Sequence, residues 1–160
     1  MKDFPERVYT SEEVKRAKEL VLEGYKHNLS VEGSMDFKEK VNRALELIKT
    51  ASYFDFLSSY IRKIVEIDGI TQLRETEVTI WANKFAVENI VDASSLFIQK
   101  AYLMKEYIDG ELYYGGNAEK RSVEKRIEFL QTLSDRSNDK EVKDECNRLL
   151  QMWKESSLAF

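Results

Sequence analysis

The 160-residue chain has little of what most active sites are built from. It holds one cysteine, Cys146, which excludes an internal disulfide and any multi-cysteine metal knuckle. It holds one histidine, His27, so the paired-histidine metal centres of helical bundles are excluded and no second imidazole exists for catalysis. The one proline, Pro5, lies outside every periodic segment, and only six glycines punctuate the rest. No uncharged stretch exceeds seven residues (Ala93–Gln99 and Leu112–Ala118), whereas a membrane-spanning helix needs roughly 20 apolar residues. The N-terminal MKDFPERVYTSEE lacks the apolar core of a secretion signal, and a cytoplasmic location is expected. Positive charge is not in excess either. Lys and Arg number 25 against 29 Asp and Glu, so the net charge of -4 lacks the basic footprint of a nucleic-acid binder. KRSVEKR, at residues 120–126, is interrupted by acids and reads as surface pairing on a helix, not a phosphate track.

What is present favours helix. Hydrophobic residues make up 42% and charged residues 34%, with Glu, Lys, Leu and Ala filling long stretches without breakers. Residues 1–160 are expected to form a single all-helical domain, with 1–9 an irregular N-terminal segment. Thr10 with Glu13 is a capping-box pattern, followed by a stripe of Val14, Ala17, Val21, Leu22 and Tyr25. His27 to Ser34 reads as a loop. Asp36 is the expected cap of a second helix, whose stripe is Phe37, Val41, Ala44, Leu45 and Ile48. A further stripe of Tyr53, Leu57, Tyr60, Ile64 and Ile67 is offset from it by about 150°, which predicts a kink or break at Thr50–Ser52. Gly69 then ends the helix.

The segment from Leu73 to Asp109 is expected to be a long central helix. Its C-terminal half carries Ala86, Ile90, Ala93, Phe97, Ala101, Met104 and Ile108. Its N-terminal half presents Val78, Trp81, Ala82 and Phe85 on a face rotated by about 100°, and Asp92 could cap a break between the two. Asn117 and the pair Asn138 and Glu141 mark two further starts, with stripes at Val123, Ile127, Leu130 and Leu133, and at Val142, Cys146, Leu149 and Trp153. No alternating run bounded by turn residues stands out, so strands are not expected. The expectation is an all-α bundle of five to seven helices around a long central helix.

Catalytic chemistry finds few footholds. Cys146 falls within an apolar stripe beside Asp144 and Glu145, which suits inert packing rather than a nucleophile. Helical nucleotide pyrophosphohydrolases hold Mg²⁺ with Glu-x-x-Glu and Glu-x-x-Asp on neighbouring helices. Here Glu106-Tyr-Ile-Asp109 matches the second half and nothing matches the first. A metal-dependent nucleotide phosphohydrolase using Glu88, Asp92, Glu106 and Asp109 is therefore the enzyme alternative, with Mg²⁺ its only implied cofactor. Glu88, Asp92, Ser95, Gln99, Tyr102 and Glu106 share one face, opposite the apolar stripe, which reads otherwise as a solvated face. A second alternative is anion or nucleotide binding at the helix start Gly115, Gly116, Asn117, Lys120 and Arg121, where free amides meet cations.

The surplus lies in aromatic residues: eight Tyr, eight Phe and two Trp. Tyr and Trp bring contact area to interfaces at little entropic cost. The expected function is therefore a non-enzymatic protein-interaction module or scaffold, self-associating into a homo-oligomer and needing no cofactor. Trp81, Phe85, Tyr113 and Tyr114 are the expected contact residues.

Overall fold

The computed structural model describes residues 11–22, 29–110 and 116–157. The expected cap Thr10, the irregular segment 1–9, His27, and Tyr113, Tyr114 and Gly115 lie outside these residues.

The apolar stripes generate the helices they imply, with one large exception. In α2 (Met35–Thr50), Phe37, Val41, Ala44, Leu45 and Ile48 are all buried. The cap is Ser34 rather than Asp36: its hydroxyl accepts from the amide of Phe37 at 3.2 Å, while Asp36 lies in the first turn. The predicted discontinuity is a full break. Ser52 takes a left-handed φ of 64°, and α3 (Phe54–Tyr60) restarts after it for only seven residues.

The exception overturns the all-α expectation. Residues assigned to helix or loop instead form a four-stranded mixed sheet, which among the described residues is combined with six helices. The strands are β1 (Ser30–Glu32), β2 (Lys63–Ile67), β3 (Gln72–Arg74) and β4 (Thr79–Asn83), in the order β1-β2-β4-β3. β1 pairs with β2 and β2 with β4 in parallel, and β3 closes antiparallel on β4. β1 thus lies inside the expected loop 27–34, and β2, β3 and β4 replace the end of one expected helix and the first third of the central one. The apolar spacings that suggested helix are spacings across a pleat. Ile64, Ile80 and Leu73 align in register with Val31 as one row on the core side, and the first three are buried. Val78, which joins a short 3-10 turn to β4, adopts a left-handed φ of 55°.

The central helix exists but is shorter than expected. α4 (Ile90–Ile108) starts after a second 3-10 turn (Lys84–Val87), and its cap is Asn89, whose side chain accepts from the amide of Asp92 at 3.0 Å. Asp92 therefore marks no break. α4 packs against α1 (Ser11–Leu22), α2, α3, α5 (Gly116–Arg136) and α6 (Lys140–Ser157). Asn117 lies one residue inside α5. The last cap is Asp139 rather than Asn138, accepting from the amides of Glu141 and Val142. One cluster of buried apolar side chains runs from Ala17 in α1 through the sheet to Leu150 in α6. No helix among the described residues is long and apolar enough to cross a membrane.

The polar face of α4 is not solvated. α5 covers it, and Ser95, Gln99, Glu106, Ser122 and Arg126 are buried at the seam. Arg126 donates from Nε to Ser95 Oγ at 2.8 Å, from Nη1 to Gln99 Oε1 at 2.7 Å and from Nη2 to Asp92 Oδ1 at 2.8 Å. Gln99 passes a hydrogen bond on to Ser122 at 3.0 Å, and the Trp153 ring of α6 lies 4.7 Å from the guanidinium. The guanidinium is thus held on several sides, which is how a buried charge is tolerated.

Candidate binding surface

The four carboxylates of the enzyme alternative do not converge. Glu88 precedes α4 and pairs with Lys40 at 2.8 Å, and Asp109 follows α4 and pairs with Lys105 at 2.8 Å. Asp92 and Glu106 stand on the same helix about 21 Å apart along its axis. Asp92 is held by Arg126 and Glu106 by Arg121, which donates from Nε and Nη2 at 2.7 Å each. A cation site on this face needs a covering helix. α5 provides the cover and brings two guanidinium groups with it, so fixed positive charge stands where a metal ion would have to go. Among the described residues, no three His, Cys, Asp or Glu side chains come together closely enough to hold a metal.

The Arg121 pair gives the Glu106 carboxyl a value below the usual 4.5, its hydrogen bonds outweighing the opposing effect of burial. A carboxylate with a lowered folded value stabilises the fold above its unfolded value and loses that contribution as pH falls. Glu106→Gln should therefore lower the Tm at neutral pH, and the gap to the parent should close as the pH drops below 4.5. Thermal melts across that range check it, and a gap that stays constant with pH would show that the pair contributes nothing as charges.

The same pair bears on the proposed anion site. Arg121 is committed to Glu106, although its side chain is partly exposed, and Lys120 beside it is exposed. Asn117 is also exposed, and Gly116 opens the helix. Cys146 is buried in the core, and burial, aided by Glu145, pushes its thiol up to about 11, so it is protonated and unreactive at neutral pH.

Trp81 and Phe85 do not lie on a helix: Trp81 is in β4, and Phe85 is in the 3-10 turn that follows it. Side chains of a strand alternate between faces, so Lys63, Val65, Ile67, Arg74, Gln72, Thr79, Trp81 and Asn83 point away from the helical core. Apart from Thr79, which is buried, this outer face is half-exposed, and it divides along the strands. At the C-terminal end of β2 and β4, Asn83 is the organiser. Its Nδ2 donates to the carbonyls of Asp68 and Gly69 at 3.1 and 2.8 Å, which pins the turn carrying Ile70. Its Oδ1 accepts from the amide of Phe85 at 2.9 Å, which pins the turn carrying Phe85. Ile70 is 84% exposed and Phe85 70%, so one asparagine ties down the backbone of two turns that each carry a large exposed apolar side chain. Lys84 lies 5.3 Å over the Phe85 ring.

The other end of the face is polar. Trp81 pairs across the sheet with Val65 and Gln72, and the Arg74 guanidinium stacks 4.1 Å from its ring. A crevice of about 420 Å³ opens there between the sheet, the 3-10 turn before β4 and Arg16 of α1. Lys63 meets Glu32 at 3.0 Å and Arg74 meets Glu77 at 3.7 Å around it.

A further aromatic group was not singled out from the sequence as a set. The rings of Tyr53, Phe56 and Tyr102 stand 5.7 to 6.0 Å from the Lys125 ammonium, and Tyr53 meets Phe129 edge-on at 5.2 Å. These rings, from α3 and the residue that precedes it, α4 and α5, are half-buried except for Phe129, which is fully enclosed. Four of the eighteen aromatic residues thus meet at this seam. Comparison with protein-family models, with curated proteins and with solved structures finds no match.

Proposed function

We propose that the chain is a non-catalytic interaction module of the cytoplasm, and that it binds a second protein chain, in the simplest case a copy of itself, through the rim formed by Ile70 and Phe85. The observation that carries this reading is the double hydrogen bonding of Asn83, which holds both turns in place. Apolar side chains on turns whose backbone is already fixed spare the cost of ordering that backbone on binding, which favours an interface anchor. Trp81 extends the surface inward along β4. The carboxylates offer no competing centre, because each is held by its own cation. No cofactor enters this mechanism, which works by burying apolar area.

Size-exclusion chromatography with light scattering tests the reading. The parent is expected to run as a dimer or larger. Ile70→Ser with Phe85→Ser should weaken association at least about tenfold while the circular-dichroism spectrum is unchanged. A parent that stays monomeric at high concentration removes self-association, and unaltered association in the double variant removes this rim.

A further inference from the structure

The rim at the C-terminal ends of β2 and β4 carries charge as well as apolar area. We propose that its partner is a second copy of this chain, docked about a two-fold axis that sets the turn 68–70 of each copy against Lys84 and Phe85 of the other. The inference rests on the rim reading above, and it fixes both the partner and its orientation.

Three observations support it. The first is how the side chains are shared out. Each of the two turns tied to Asn83 has one exposed apolar side chain and one exposed charge: Ile70 with Asp68 on one, Phe85 with Lys84 on the other. Ile67 and Asn83 are paired in the β2–β4 register, so the two turns leave the sheet side by side. Two adjoining apolar patches of opposite charge are complementary to each other. A half-turn rotation places each on its counterpart, so that Ile70 meets Phe85 twice and Asp68 meets Lys84 twice.

The second observation is that both charges are available. Among the described residues neither Asp68 nor Lys84 has an ion-pair partner, and they do not pair with each other. Lys84 lies over the ring of its neighbour Phe85, and Asn83 holds the Asp68 carbonyl rather than the carboxylate. Glu88, the next charged residue along the chain, is taken by Lys40, which also holds Asp36. The third observation is the balance of sign. With a net charge of -4, two copies repel at long range. A rim built for an acidic or a basic partner would carry an excess of one sign. This rim carries one charge of each, so like-charged copies can approach there, and the two charge pairs set their alignment.

Sedimentation equilibrium of the full chain tests the pairing. Lys84→Glu sets acid against acid at both contacts, and Asp68→Lys sets cation against cation. Each variant should self-associate at least about tenfold more weakly than the parent. Both positions are exposed and unpaired, so the melting temperatures should not change. An equimolar mixture of the two variants should form a heterodimer of parental affinity, because one then supplies the acid and the other the lysine at both contacts. A mixture that associates no better than its components overturns the two-fold pairing, as does undiminished association of either variant alone. In both cases the Ile70 and Phe85 double variant still decides the rim reading separately. A monomeric parent overturns the pairing together with self-association.

Discussion

Arg126→Met should lower the unfolding free energy by about 3 kcal/mol, near the lower end of what breaking a buried ion pair costs. Methionine replaces most of the volume, so the loss is electrostatic rather than a cavity. Arg126 is 7% exposed, and three side chains depend on it: Ser95, Gln99 and Asp92. Without it, Gln99 Oε1 loses its arginine donor in a buried seam, and the Asp92 carboxylate loses its partner. Asp92 is about a third exposed and can rehydrate, which keeps the loss from reaching the upper end of the range. Urea unfolding measures the change. Adding Asp92→Asn and Gln99→Leu should recover part of it, because the orphaned partners, not the missing arginine, carry the cost. A single-variant loss below about 1 kcal/mol would mean the seam is hydrated and the network unimportant.

Gly33→Ala is the second large effect, at about 2–4 kcal/mol. Gly33 has a φ of 154° and connects β1 to α2. A Cβ there would stand 2.7 Å from Glu66 Cβ, and 2.8 Å from both Glu66 Oε1 and a Phe37 ring carbon. Neither neighbour can yield cheaply. Glu66 Oε1 accepts from the amide of Ser34 at 2.8 Å, at the cap of α2, and Phe37 is fully buried in the core. Relieving the clash therefore loosens the start of α2 and its docking on β2 together. Gly110→Ala is the control. Its φ is 80°, but a Cβ there meets nothing within 4 Å, so only the backbone term of about 1 kcal/mol remains. Equal losses in the two variants would show that the contact geometry at Gly33 is immaterial.

The helices were readable because each is long enough for its period to repeat. The stripe of α2 is buried residue for residue, and Ala93, Phe97, Ala101 and Met104 of α4, and Cys146 and Leu149 of α6, follow suit. The strands were not, because they are three to five residues long, and β2, β3 and β4 are joined by connections of similar length. Over such a span, Leu57, Tyr60, Ile64 and Ile67 satisfy a helical period by accident, although the last two lie on opposite faces of β2. A local signal was present in composition: Ile61, Ile64, Val65 and Ile67, then Val78, Thr79, Ile80 and Trp81, are concentrations of β-branched and aromatic residues. The pairing itself is non-local, joining Ser30 to Lys63 and Lys63 to Thr79. The polar face of α4 misled for a related reason. Sequence alone shows which side of a helix is hydrophilic, but not that a neighbour will supply arginines to bury it. Trp81 and Phe85 were found as residues, whereas Asn83, which organises their surroundings, carries no mark in the sequence beyond its type.

The brevity of the outermost strands sets how anything can attach. Among the described residues the margins of the sheet are β1 and β3, each three residues long, bearing Glu32 on one and Arg74 on the other. So few free backbone groups give an incoming peptide almost no ladder to extend, and the charges penalise a stray hydrophobic strand. The protein is thereby protected from lateral fibre-like stacking. By the same token a visiting chain has to lie across the sheet and be recognised by its side chains.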